Sequence, residues 1–405
     1  MSLPYNIALF VSQQYFKSRG IAIPVITFWV GLMGMTWSFK PLWSPFCELV
    51  RVKKRIVIWS QITLAALFCA LAFVAHLPMW FPATLGVLWV FAFTSATHDI
   101  ASDGVYVTTL DKSTLAAFSG VQSAAWMGGK VIAMGGVVYL AGHLEKLMGV
   151  EAGWTLVFVV MAGFMAVSAA YHTRMLPPGS PSEAHAKTAT EAIKVFGVVV
   201  TDFFKKPKVW WMIAFIFLYR VSESQVSAIA QLYLRDKPEN GGAGLSTQQV
   251  GFVYGTVATL GLVVSSLIAG KIVSRYSLER SLKFLVLIFN IPILLFAYLA
   301  WTHTTDMWTI GICATIEQFC VGMGMIACIN YIMQQLSPGK YAMAHCGYGT
   351  ALMNLGVSIP AMVSGTIAAS LGYPAFFLYA LVVAIPSIIV SFLVPFPHTA
   401  PSADK

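Results

Sequence analysis

The stretch that decides the architecture runs from Leu176 to Lys208 and reads LPPGSPSEAHAKTATEAIKVFGVVVTDFFKKPK. It is the long polar interval in a chain otherwise built of apolar runs. It opens on Pro177-Pro178-Gly179-Ser180-Pro181, a cluster that breaks regular structure. From Glu183 to Lys206 an amphipathic helix is expected, with Ile193, Phe196, Val200, Phe203 and Phe204 on its apolar side, suited to lying on a membrane surface. Working outward, six apolar runs precede this stretch and six follow it. The first set is Leu3–Phe16, Ile21–Trp43, Ile56–His76, Phe81–Val107, Leu115–Ala141 and Gly153–Tyr171. The second is Trp210–Tyr233, Val250–Ile272, Leu282–Trp301, Trp308–Gln334, Ala342–Leu371 and Ala375–Pro395.

Composition agrees with this division. Of 405 residues, 58% are hydrophobic and 10% charged, against about 25% charged in a soluble domain. A water-soluble enzyme is excluded. At about 20 residues per membrane helix, twelve spans use roughly 240 residues and leave about 165 for loops and ends. The expected class is an all-α polytopic membrane protein with twelve helices, the first of them short. The net charge of +9 does not call for a nucleic-acid partner, because basic residues of membrane proteins collect in cytoplasmic loops. The cysteines Cys47, Cys69, Cys313, Cys320, Cys328 and Cys346 lie in or beside apolar runs without a CxxC pair, which reads as packing rather than metal binding.

Placing the N-terminus inside puts 17 Lys and Arg on the cytoplasmic side, 5 outside (Lys17, Arg19, Lys146, Arg235, Lys237) and 3 within spans (Lys40, Lys130, Arg220). The bias assigns both termini and the Leu176–Lys208 linker to the cytoplasm. The expected units are an N-terminal bundle over 1–175, the linker over 176–208, a C-terminal bundle over 209–396 and a tail over 397–405. A shift of 227 residues matches Ala117, Gly120, Ala124, Gly129, Ile132 and Ala141 with Ala344, Gly347, Ala351, Gly356, Ile359 and Ala368. Two similar six-helix halves around a cytoplasmic linker resemble the major facilitator layout, whose binding site lies at the midplane between the halves.

A charge near the bilayer centre costs at least about 2.5–3.5 kcal/mol on insertion scales, so each one asks for a partner or a purpose. Lys130, Arg220 and Glu317 fall near the middle of spans five, seven and ten. Glu223 follows Arg220 at i+3, close enough to pair. That pair reads either as a structural ion pair or as cavity lining, with Arg220 for substrate and Glu223 for a proton. Lys130 has no acidic residue at i±3 or i±4, so its partner must come from another helix or from an anionic substrate. Glu317, between Ile316 and Gln318, is a carboxylate whose charged form burial disfavours, as proton coupling requires. Trp126, Gln122, Gln225, Asn330 and Asn354 are expected near the same depth, the mixture of aromatic and amide groups that binds sugars; each reads equally as helix–helix glue.

Asp99 and Asp103 lie one turn apart near the cytoplasmic end of span four. Like charges at this spacing repel, so cations are expected beside them, with Arg51, Lys53, Lys54 and Arg55 as the source. A cytoplasmic gate formed by Asp99, Asp103, Lys40, Glu48, Arg51 and Arg55 is expected, with direct substrate contact as the alternative.

These residues resemble the AmpG-type branch of the major facilitator superfamily, the permeases for anhydro-muropeptides. Phe39-Lys40-Pro41-Leu42-Trp43-Ser44-Pro45 is similar to the family's FK-x-LWSP segment. Ser95-Ala96-Thr97-His98-Asp99-Ile100-Ala101-Ser102-Asp103 is similar to its S-A-x-x-D-I-x-x-D run. Leu218-Tyr219-Arg220 matches L-Y-[KR], and Glu317-Gln318-Phe319-Cys320-Val321-Gly322-Met323-Gly324 matches E-x-x-C-x-G-M-G. The resemblance implies proton-driven import of wall-recycling products across a bacterial inner membrane by a monomer, its partners a sugar or sugar-peptide solute, protons and lipid. It implies no catalytic residue, cofactor or metal. Some members carry two further C-terminal helices, and in relatives a G-[LI]-P sits inside helix one where this chain has Met1-Ser2-Leu3-Pro4. The start is therefore expected to fall about half a helix late. Other branches carry siderophores or acetyl-CoA, which leaves a different anionic solute open. A sensor that binds wall fragments and signals through the linker is the reading from another class.

Overall fold

The computed structural model describes residues 2–48, 50, 52–109, 124–179 and 188–398. Helix α1 runs through Ser2–Asn6, a π turn at Ile7–Val11 and Ser12–Ser18. There follow α2 (Ile23–Ser38), α3 (Lys40–Glu48), α4 (Lys53–Val74), α5 (Trp80–Thr109), α6 (Ala124–Met148) and α7 (Val150–Met175). Helix α8 (Ala189–Phe204) lies in the linker, and α9 (Val209–Arg235), α10 (Thr247–Tyr276), α11 (Leu278–Thr302), α12 (Met307–Leu336), α13 (Ala342–Leu371) and α14 (Tyr373–Leu393) complete the chain. Among the described residues, ten helices are long and apolar enough to cross a membrane, and α2 is a shorter apolar helix. The protein is a multi-pass, all-α membrane protein.

Local chemistry sets the boundaries. Asp306 caps α12 by accepting from the Thr309 amide at 2.8 Å, and Ser246 with Gln249 forms a capping box at the start of α10, each satisfying amides that lack a helical partner. Gly149 (φ +85°) and Gly372 (φ +75°) take the positive-φ conformation that lets α6 turn into α7 and α13 into α14.

One expectation is corrected here. The run Ile21–Trp43 is not one helix: α2 stops at Ser38 and α3 restarts at Lys40. The ring of Pro41 clashes with a carbonyl one turn back and offers no amide to it, so the helix ends just before.

The apolar core divides rather than merges. One cluster joins α1, α2, α4, α5, α6 and α7, with Leu232 its single buried member from beyond the linker. Two others lie among α9–α14, to which α8 contributes the buried Phe203 and the helices before the linker the buried Met134. Between the two sets, backbones meet at glycines. A Cβ on Gly31 of α2 would sit 2.6 Å from Met362 of α13, and one on Gly255 of α10 would sit 2.0 Å from the carbonyl oxygen of Met134 on α6. Small residues permit such contact between membrane helices. Outward, large apolar side chains stay uncovered, Trp308 by 82% and Trp301 by 70%, as suits a surface facing lipid. Helix α8 turns Phe203 and Phe196 towards Tyr348 and leaves Ile193, Val198 and Phe204 exposed.

Candidate functional site

A cavity of about 120 Å³ lies between the two sets of helices. Its walls bring together Tyr5 of α1, Lys130 of α6, Arg220 and Glu223 of α9, Tyr254 of α10, Gln318 of α12 and Asn354 of α13. Thus Lys130, Arg220, Glu223 and Asn354, expected near one depth from sequence, line one space. Trp126 is not in the wall; its ring lies 6.0 Å from that of Tyr5.

Arg220 is presented by a break in its helix. Residues Val209–Tyr219 and Val221–Arg235 are separate helical segments, with Arg220 between them at φ −103°, ψ 1°. Ser387 of α14 donates to the Tyr219 carbonyl at 2.7 Å, and a side chain inserted into the ladder in this way opens a helix. The guanidinium then reaches back to Glu223, with Nη2 and Nε at 2.8 and 3.0 Å from Oε2. Ser227 donates to the other oxygen at 2.9 Å.

Glu317 is 1% exposed and stands behind the wall rather than in it. Gln318 Nε2 donates to Glu317 Oε2 at 2.8 Å and to Tyr254 Oη at 2.8 Å, while Tyr254 Oη donates to Glu317 Oε1 at 3.4 Å. The amide oxygen of Gln318 accepts from Lys130 Nζ at 3.4 Å. The partner that Lys130 required is therefore Gln318, with Tyr254 the neighbour that sequence did not single out. Nothing in its local sequence marked it, since its role depends on contact with a helix 63 residues away.

Other expected members lie elsewhere. Asn330 stands one residue before the end of Met307–Tyr331 and donates to Ile326 O at 2.9 Å. Thirteen residues separate it from Glu317, about 20 Å of helix, which removes it from the level of that carboxylate. Gln225 is buried and its amide turns towards the Val221 carbonyl of its own helix at 3.5 Å. Gln122 and Arg51 fall outside the described residues, as does the side chain of Glu48.

At the far end of α5, Asp99 Oδ2 accepts from Lys40 Nζ at 2.9 Å and from Trp37 Nε1 at 3.2 Å. Among the described residues, the cation beside Asp99 thus comes from the start of α3. The Arg51–Arg55 tract also reaches α5: the buried stem of Lys53 lies against Gly104, next to Asp103, whereas Arg55 is exposed. Gln61 bridges His98 at 3.2 Å and His172 at 2.9 Å in the same region.

The opposite end carries ties that sequence read only as orientation signals. Lys17 of α1 pairs with Asp236 at 2.8 Å, and Tyr373 donates to the same carboxylate at 2.8 Å. Arg235 donates to Gln14 at 3.1 Å and to Ser18 at 3.2 Å. Thr247 of α10 donates to Glu145 of α6, and Lys146 reaches Gln248 at 2.6 Å. Burial alone would raise the Asp236 carboxyl, but hydrogen bonds from Lys17, Tyr373 and Asn240 outweigh it and hold it below the ordinary aspartate value.

Apolar helices around a charged cavity, with ties between two sets of helices at one end, define a secondary transporter rather than an enzyme. The chain belongs to the Major Facilitator Superfamily, whose model matches residues 3–350. Among its relatives, the anhydromuropeptide permease of Escherichia coli (strain K12) is 23% identical over 404 residues, covering 96% of this chain and 76% of that protein. A Rickettsia prowazekii protein described as putative transporter AmpG 2 is 25% identical over 194 residues, 48% of this chain and 46% of the relative. A bacterial homologue of the human lysosomal transporter Spinster, solved inward-facing and unoccupied, shares the fold with a TM-score of 0.67 at 14% identity, over 97% of this chain and 95% of that one.

Proposed function

We propose that the protein is a proton-coupled importer of wall-recycling products, anhydro-muropeptides or related amino sugars, working by alternating access in a bacterial inner membrane. Its spans are counted as twelve, with α1 and with α2–α3 as one span, in two six-helix bundles over 1–175 and 209–396. The linker 176–208, the tail 397–405 and both termini face the cytoplasm, and a monomer suffices. Asp99, Asp103, Lys40, Glu48, Arg51 and Arg55 serve as the cytoplasmic gate.

The observation that carries the reading is the charge balance of the site. Lys130 and Arg220 face Glu223 and Glu317, two cations against two carboxylates. An anionic guest leaves one negative charge without a counterpart in a buried space, which is expensive. A proton on one carboxylate restores the balance, so anion and proton favour each other's binding. In this assignment Lys130 and Arg220 hold the solute's carboxylate, Asn354 contacts its sugar, Trp126 joins it only once the halves part, and Glu317, with Glu223 second, carries the proton. The relatives' names support a muropeptide cargo; the carboxylate is the lactyl group's where no peptide is attached and the peptide's own where one is. The cavity of about 120 Å³ is smaller than the roughly 300–1,000 Å³ of ligand sites, so cargo requires the halves to part.

The test is uptake of the disaccharide of N-acetylglucosamine and 1,6-anhydro-N-acetylmuramic acid into proteoliposomes with an imposed pH gradient. Accumulation should follow the gradient and be lost in Glu317→Gln while exchange persists. Accumulation indifferent to the gradient would refute proton coupling; uptake of an iron chelate but not the disaccharide would refute the cargo.

A further inference from the structure

The wall between Glu317 and the cavity consists of two side chains with an unusual division of labour. Gln318 has its amide nitrogen on Glu317 and Tyr254, each at 2.8 Å, and its amide oxygen towards Lys130 at 3.4 Å. An amide has one acceptor end and one donor end, so contact with a cation on one side fixes the donor towards the carboxylate on the other. Lys130 belongs to α6 in the helices before the linker; Gln318, Glu317 and Tyr254 belong to α12 and α10 after it. The contact therefore crosses the seam along which the halves must separate.

We propose that Gln318 and Tyr254 are positioning residues that report to Glu317 whether Lys130 is engaged by cargo. This rests on the proton-coupled reading above and deepens it. With the cavity empty, Lys130 holds the amide oxygen, and both hydrogen bonds to Glu317 support its charged form. When a carboxylate draws Lys130 into the cavity, the amide loses its fixed orientation and Glu317 loses part of that support. The proton arrives through Tyr254, a residue of the cavity wall whose hydroxyl contacts Glu317 Oε1 at 3.4 Å. In this transfer the hydroxyl accepts one proton from the cavity as it passes its own to the carboxylate, and tyrosine ends unchanged.

The charged and titratable groups that face Glu317 are Lys130 of α6, Glu223 of α9 and Tyr254 of α10. Arg220 lines the same cavity, and Cys320 follows one turn along α12. Of these, only Lys130 and Tyr254 contact Gln318. That contact makes Gln318 the link between cargo and proton.

The experiment compares exchange without a gradient and accumulation with one, using the same disaccharide, in wild type, Gln318→Leu and Tyr254→Phe. In both variants gradient-driven accumulation should fall at least about tenfold further than exchange does, the order set by losing a hydrogen bond to a charged group. The pH dependence of exchange should flatten in Gln318→Leu. Gln318→Glu, which keeps the shape but binds Lys130 as a carboxylate, should slow exchange itself. Wild-type accumulation in either of the first two variants would overturn the proposal. So would parallel loss of exchange and accumulation in variants that elute and melt as wild type, since that marks binding or structural residues. Exchange by wild type with no response to the gradient would instead refute the proton-coupled reading, and this inference with it.

Discussion

Removing the ammonium of Lys17 should open the protein at the end that carries the Lys17–Asp236 pair. The pair with Asp236 is largely covered, with side-chain exposures of 16% and 12%, so it behaves as a charge-assisted hydrogen bond worth about 1.5–3 kcal/mol rather than an exposed pair worth about 0.2–1 kcal/mol. Lys17→Met keeps the apolar stem and deletes the tie. Taking about 2 kcal/mol, the ratio of open to closed forms rises about 30-fold, and an open form populated at about 1% would reach about a quarter. Spin labels on Met148 and Glu239, in a background lacking the six cysteines, report the separation at this end directly. The wild type should show one short distance and Lys17→Met a second, longer population. The acidic side of the pair fixes the pH dependence. Because Asp236 is held below its ordinary value, its contribution is present above that value and is lost only as pH falls through the lower one. The wild-type distance should not change between pH 8 and 5. A distance unchanged in Lys17→Met, or a wild type that opens between pH 7 and 6, would refute the reasoning.

Arg220→Met leaves the buried Glu223 with Ser227 as its remaining hydrogen-bonded contact, and thermal unfolding should show a loss of about 3–5 kcal/mol. The double replacement Arg220→Met with Glu223→Met should recover most of that stability without recovering uptake; full recovery of both would make the pair purely structural. Gly255→Ala forces a methyl against the Met134 backbone and should cost about 1–3 kcal/mol, with the spin-label distance lengthened; a variant that melts and measures as wild type would contradict the close seam. Lys40→Met strips Asp99 of its ion partner, leaving Trp37 as donor, and should change turnover more than stability, as read by uptake rate against melting temperature.

The spans were legible because hydrophobic runs and helical length are properties of neighbours in the chain. Even the miss at Phe39 has a local cause in Pro41, whose signal was outweighed by the surrounding apolar residues. The midplane charges were legible for the opposite reason: Lys130, Arg220 and Glu317 are conspicuous where charge is costly. What they touch was not. Gln318 lies 188 residues from Lys130 and Asp236 lies 219 from Lys17, and no spacing rule reaches across that distance. Asn330 went astray because a polar residue late in a long apolar run looks central until the helix is measured. Asp99 meets Lys40 because the break after Ser38 aims the first turn of α3 at α5.

The equal number of cations and carboxylates around the cavity has a consequence for energetics across the bilayer. Moving one elementary charge through a membrane potential costs or yields about 2.3 kcal/mol per 100 mV. A site that travels empty with Lys130 and Arg220 matched by Glu223 and Glu317, and travels loaded with one anion and one proton added, carries the same net charge both ways. Such a cycle would be electroneutral, so accumulation would track the chemical gradient of protons and ignore voltage. A potassium–valinomycin potential imposed at constant pH would then leave the steady state unmoved.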